Sequence, residues 1–212
     1  MPHYTDIAGL AGVASAMMAA VFLLLSGVAR ISHKPRMGFS RLHLAGLLLA
    51  LFVLVLIPFG GMPVAAFVRG ATGDLSITTL VLLWCALLRP WCDCATFGVK
   101  HRNMLLMLIT LAAVMLYPLA LGVGVLDPYR FGYGNPLFIV ALFLIASAAW
   151  VQKSYLITLC ISLAALAWVV GWYESSNLWD YLLDPFLSAY ALCSIIIHAA
   201  KRLVNRSPCE QL

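Results

Sequence analysis

Charge is scarce in this chain: Asp, Glu, Lys and Arg make up 10% of its 212 residues, where soluble domains carry about 25%. Low-complexity tracts, Ser/Gly linkers and internal repeats are also missing. Asp127-Pro128 and Asp184-Pro185 share a dipeptide and nothing more. No GxSxG elbow, HExxH pair or P-loop occurs, so no defined enzyme class is supported and no cofactor is expected. The opening MPHYTD lacks a basic stretch, and the basic residues follow the first apolar run instead of preceding it. A cleavable signal peptide is therefore not expected.

The six cysteines do not form a staple pattern. Cys85, Cys160 and Cys193 fall inside apolar runs and read as small buried hydrophobes. Cys92, Cys94 and Cys209 fall on the side assigned below to the cytosol, where structural disulfides are rare. Cys92, Asp93, Cys94 and His101 resemble a metal set only superficially. The C-x-C spacing is not the C-x₂₋₄-C of most structural zinc sites, so no metal is expected, and reversible acylation of a cysteine beside the membrane fits at least as well.

What is abundant is apolar surface. Hydrophobic residues are 64% of the chain and the mean hydropathy is +1.00. The reading is an all-α, polytopic transmembrane helix bundle with a single integral membrane domain over residues 1–212 and no separate soluble domain. Seven spans are expected at roughly 7–29, 43–67, 75–89, 104–123, 136–151, 154–173 and 183–200. The pI near 9.0 does not point to nucleic acid, because the basic residues sit in short clusters between apolar runs, as topology signals do. Arg30, Lys34, Arg36 and Arg41 place the first loop in the cytosol. With the N-terminus outside, eleven of thirteen Lys/Arg lie inside and only Arg69 and Arg130 lie outside. The expected location is an inner or plasma membrane.

The stretch PFGGMPVAAFVRGATGDLS, residues 58–76, interrupts this series. Pro58 and Pro63 lack amide donors and Gly60-Gly61 weakens a helix, so the second span is expected to break or kink there. Two readings are open. Pro58 ends a short helix and 68–76 is an ordinary loop, or the segment forms a discontinuous hairpin of the kind that builds binding sites in transporters.

Acidic residues contribute little to orientation, yet six of eight (Asp6, Asp74, Asp127, Glu174, Asp180, Asp184) fall on the outer side. With Arg69, Arg130 and the rings of Tyr129, Tyr133, Trp172, Tyr173, Trp179 and Tyr181 they suit a polar, saccharide or lipid-linked ligand. Turn chemistry and an interfacial aromatic belt account for the same residues without a ligand. The candidate ligand-binding residues are Arg69, Asp74, Asp127, Arg130, Asp180 and Asp184. Asp184 is expected to cap a helix opened by Pro185, and Asp180, one helical turn away on the same face, to need a cation such as Arg69 or Arg130.

Within the spans, Tyr190, Ser194 and His198 form one polar stripe and Tyr155, Thr158 and Ser162 another, expected to hydrogen-bond between helices. The functional expectation is binding or translocation of an envelope ligand at the outer face. An accessory role beside a larger membrane-protein partner, or an envelope-modifying enzyme using two outer aspartates, are the alternatives.

Overall fold

Each apolar run folds as a helix that stops where a turn residue stops it. A computed structural model describes residues 4–31, 41–88 and 98–204, and nine α-helices occupy most of them: α1 (Tyr4–Ile31), α2 (Arg41–Leu56), α3 (Val64–Thr72), α4 (Ile77–Leu87), α5 (Val99–Ala120), α6 (Pro136–Val151), α7 (Tyr155–Val169), α8 (Leu178–Leu182) and α9 (Pro185–Val204). A 3₁₀ turn, Pro128–Gly132, lies between α5 and α6.

The starts are capped by side chains. The Ser76 hydroxyl accepts from the Thr79 amide at 3.2 Å to open α4. The Asn135 carbonyl takes the Leu137 amide at 2.9 Å ahead of Pro136, the first residue of α6. Asn177 takes the Trp179 amide at 3.0 Å to open α8. The ends of α5, α6 and α7 share one device. A residue in the left-handed region (Gly122, Lys153, Gly171) follows the helix, and the next amide returns to a carbonyl five residues back, as Val123 does to Pro118, Ser154 to Ala149 and Trp172 to Ala167. Lys153 does this at φ +58, where a side chain is strained.

The second expected span, 43–67, is not one helix. After α2 the chain makes a two-stranded antiparallel hairpin, β1 (Pro58–Phe59) and β2 (Met62–Pro63), before entering α3. Gly60 and Gly61, at φ +66 and +99, form its two-residue loop, a geometry that L side chains rarely take. Pro58 faces Pro63 in the register, and neither has an amide to donate, so the ladder ends there. The interruption is thus a hairpin plus a short helix, richer than either a bare loop or a kink.

α7 lies at the middle of the larger core, in contact with α4, α5, α6 and α8. Its buried face, Ile157, Cys160 and Ala164, recurs every three to four residues, and the two small side chains admit close neighbours. Leu105, Leu106, Ile109 and Leu116 of α5 pack into the same cluster. A smaller cluster, Met18, Ala19, Leu48 and Leu87, joins α1, α2 and α4. The small-residue face of α1 packs as expected at Gly12 and Ala16, whereas Ala20 is exposed. Cys160 is buried, Cys85 partly so, and Cys193 is exposed, against expectation.

By length and composition two helices can cross a membrane, with runs Asp6–Leu24 and Val99–Ala120. Ala45–Leu56, Ile77–Leu87, Pro136–Val151, Tyr155–Val169 and Pro185–Lys201 are shorter apolar helices. Much of this apolar surface is uncovered. On α6 only Ala149 is fully buried, while Leu137, Val140, Phe143 and Leu144 are exposed.

Candidate functional site

Three polar clusters gather at the end of the molecule that holds the 3₁₀ turn and α8. The first is built on Arg69, in the last turn of α3, where a cation also meets the negative end of the helix. Its Nε and Nη2 donate to Oδ1 and Oδ2 of Asp74 at 2.7 and 3.1 Å, a two-pronged match of guanidinium to carboxylate. Nη1 reaches Asp6 of α1 at 3.3 Å, and Glu174 stands 3.7 Å from Nη2. One cation therefore faces three carboxylates drawn from α1, the α3–α4 loop and the loop after α7. The hydrogen bond to Asp74 raises the guanidinium pKa above its ordinary range, and Asp6 and Glu174 push the same way against the opposing effect of burial. Gly9 makes the contact with α1 achievable, since a Cβ there would stand 2.6 Å from the Arg69 Cζ.

The second cluster centres on Asp184, which is 4% exposed. Its Oδ1 accepts the Leu187 amide at 2.8 Å, the cap expected for α9. Its Oδ2 does something the local sequence does not announce. It accepts the Ser76 amide at 3.1 Å and the Ser76 hydroxyl at 2.7 Å, and a third bond comes from the Thr79 hydroxyl. In a capping box an acidic residue in the helix's own first turn satisfies the amide of the capping residue. Here a carboxylate 108 residues away fills that role, so one side chain fixes the starts of both α4 and α9.

The third cluster holds Asp180. The Tyr129 hydroxyl donates to this carboxylate, 3.0 Å from Oδ2 and 3.1 Å from Oδ1, and the Ser175 hydroxyl reaches Oδ2 at 2.5 Å. The expected cation is not there: among the described residues no Lys or Arg forms an ion pair with Asp180. Nor do Asp180 and Asp184 share a helical face, because α8 ends at Leu182 and Leu183 is extended. Burial first, then the charge of Asp180 and the hydrogen bond to it, pushes the Tyr129 phenol above its usual range.

Around these clusters the loops tie to one another. The Asn177 amide nitrogen donates to the Tyr129 carbonyl at 2.9 Å, and Trp179 Nε1 donates to the Pro128 carbonyl at 3.0 Å. Gly132 is required at this junction, because a Cβ would fall 2.7 Å from Asn177 Cγ and 2.8 Å from Trp179 Cδ1. The Tyr181 hydroxyl accepts the Tyr173 amide at 3.1 Å and lies 3.0 Å from the Ser175 carbonyl, while the Tyr173 hydroxyl donates to the Leu75 carbonyl at 2.9 Å.

Between α5, α8, α9 and the 3₁₀ turn is a cavity of about 350 Å³, lined by Leu116, Tyr117, Tyr129, Trp179, Asp180 and Leu183, among others. A larger one, about 450 Å³, between α1, α2 and α4, is lined by aliphatic side chains with Phe52 and Trp84 and offers little to orient a polar ligand.

The structure thus brings together Arg69 and Asp74, adds Asp6 and Glu174 to them, and places Asp184 and Asp180 in separate clusters. Asp127 is exposed and accepts the Tyr129 amide at 3.1 Å, capping the 3₁₀ turn. Arg130 is exposed and makes no ion pair among the described residues. Sequence reasoning missed Gly9, Ser76, Thr79 and Ser175. The spacing Ser76-x-x-Thr79 was a usable helix-start signal, whereas nothing local marks Gly9 or Ser175.

At the opposite end, His101 Nδ1 and the buried Ser154 hydroxyl lie 2.7 Å apart, tying α5 to the α6–α7 turn. Residues 92–94 of the weighed metal set lie outside the described residues, as does Cys209. Among the described residues the polar stripe of α9 makes no bridge to another helix: His198 Nδ1 bonds the Ser194 carbonyl of its own helix at 3.0 Å, and Tyr190 is exposed. On α7, Thr158 does bridge, donating to the Ala146 carbonyl of α6 at 3.1 Å.

Comparison with protein families, with curated proteins and with solved structures finds no match to this chain.

Proposed function

We propose that this chain is a seven-span protein of an inner or plasma membrane, N-terminus outside and C-terminus cytoplasmic, whose outward end binds or translocates a polar or lipid-linked envelope ligand. The spans are α1, the broken α2–α3 unit, α4, α5, α6, α7 and α9. Exposed apolar side chains along α6 and α5 support immersion in lipid, since soluble surfaces rarely carry such continuous patches. At about 1.5 Å per residue, α4 is about 17 Å long against roughly 30 Å of hydrocarbon. Local bilayer thinning or burial of its ends by neighbouring loops offsets that mismatch.

Contacts agree with the threading. Loops assigned outside meet one another, as in Arg69–Asp6, Ser76–Asp184 and Tyr129–Asp180. Residues assigned inside meet at His101–Ser154.

The observation that carries the functional reading is the 350 Å³ cavity at the outer end, with a carboxylate in its wall that no cation neutralises among the described residues. Cytosol-active reporters fused after Lys153 and Arg206 should give signal, and fusions after Gly73 and Gly134 should not. The reverse pattern would overturn the topology. At matched expression, Asp180→Ala should reduce ligand uptake or binding while Asp127→Ala leaves it unchanged. Equal behaviour of the two would remove the cavity from consideration.

A second reading has its own support. The broad exposed apolar face of α6, opposite the side that packs on α7, suits an accessory subunit seated against a larger membrane protein. Purification in mild detergent without any companion would count against it.

A further inference from the structure

The cavity beside Asp180 is small, mostly apolar and electrically one-sided. Its 350 Å³ falls near the lower limit of ligand pockets, roughly 300–1,000 Å³, enough for one compact headgroup and not for an oligosaccharide. The wall combines the Asp180 carboxylate with the rings of Tyr117, Tyr129 and Trp179 and the aliphatic Leu116 and Leu183. Asp180 Oδ2 is well supplied, by Ser175 at 2.5 Å and Tyr129 at 3.0 Å. Among the described residues Oδ1 has only the 3.1 Å share of the same Tyr129 hydroxyl, which leaves acceptor capacity unused.

Asp180 stands in this wall, and Asp184 caps α9, whose Pro185 also lines it. Among the described residues neither is ion-paired with a Lys or Arg. A part-buried negative charge without a counter-ion is costly. A neutral sugar would bring hydroxyls where hydroxyl donors already stand, and would leave the charge in place. A cation removes the cost, and the aromatic rings add attraction for it.

We infer that this cavity takes an alkylammonium group, a primary or quaternary amine carried by a small solute or by a lipid headgroup. The inference rests on the outward ligand site proposed above and names its ligand class.

The test uses the full chain in a polyoxyethylene detergent that carries neither amine nor sugar, titrated calorimetrically with choline, ethanolamine and trehalose. Saturable binding of choline or ethanolamine is expected, weakened at least tenfold in Asp180→Asn and in Ala120→Phe, which fills the cavity, and unchanged in Lys201→Gln at the opposite end of α9. Circular dichroism confirms that each variant is folded. If Asp180→Asn is not, Ala120→Phe carries the test alone.

In lipid nanodiscs, Asp180-dependent retention of phosphatidylethanolamine or phosphatidylcholine through purification would assign the group to a lipid. Choline binding without such retention would assign it to a solute. Either outcome supports the inference. Trehalose binding that depends on Asp180, with no amine binding, would overturn the ammonium assignment and leave the outward site standing. No binding of any probe, with no lipid retained, would overturn both.

Discussion

Replacing Asp184 by alanine removes an acceptor shared by two helix starts. The capping bond to the Leu187 amide is worth about 1 kcal/mol. The buried Ser76 amide loses a charged acceptor and has no water to turn to, a further penalty of about 1–3 kcal/mol. The Ser76 hydroxyl already lies 3.1 Å from the Thr79 oxygen, so it can re-pair, and the two hydroxyls together add at most about 1 kcal/mol. The expected loss is about 2–5 kcal/mol, in the range reserved for broken buried networks. Asp184→Asn, of the same shape, can turn its carbonyl toward α9 or toward α4 but not both, and should cost about 2 kcal/mol.

Reversible unfolding in mixed micelles, followed by circular dichroism, measures both values. A cycle pairing Asp184→Asn with Ser76→Ala should give a coupling of about 1 kcal/mol or more. Amide exchange should quicken at position 76 and position 187 together. A loss below about 1 kcal/mol for the alanine variant, or exchange altered at only one of the two amides, would refute the idea that a single carboxylate joins these helices.

Gly9→Val would place carbon against the Arg69–Asp74 pair and should cost about 1–3 kcal/mol by overpacking, read in the same unfolding assay. Lys153→Gly removes a side chain from φ +58 and should stabilise by up to about 1 kcal/mol, whereas Lys153→Ala should gain almost nothing. Burial and the Asp180 charge raise the Tyr129 phenol above its ordinary value, near 10. Its share of stability is then complete below about pH 10 and is lost as pH climbs through the folded-state value. Wild type should therefore weaken more steeply than Tyr129→Phe above pH 10, by unfolding measured from pH 8 to 11.

Helices were legible wherever hydropathy and turn chemistry agreed. The expected 136–151 is α6 residue for residue, because Asn135-Pro136 opens it and a tight turn at Lys153 closes it. The expected 154–173 stops at Val169, since Gly171 ends it in the left-handed region although the apolar run continues. α5 begins at Val99, ahead of the apolar run expected from 104, because Lys100, His101 and Arg102 are helical without being hydrophobic. The hairpin at Pro58–Pro63 was visible as a break but not as a pair of strands, since two-residue strands carry no alternation to detect.

The site was legible only one partner at a time. Asp184 announced its cap, because a cap is local. Its bonds to Ser76 and Thr79 depend on packing between distant helices, which one sequence does not encode in any readable spacing. Asp180 was matched to an arginine on charge alone, and the structure supplies a phenol and a serine instead.

The carboxylate at position 184 also sets an order of events during synthesis. Ser76 leaves the ribosome 108 residues before its acceptor does, and its amide cannot be satisfied from that side until the final helix arrives. A nascent chain halted before α9 therefore holds α4 by a looser start, which is completed only when the last segment docks.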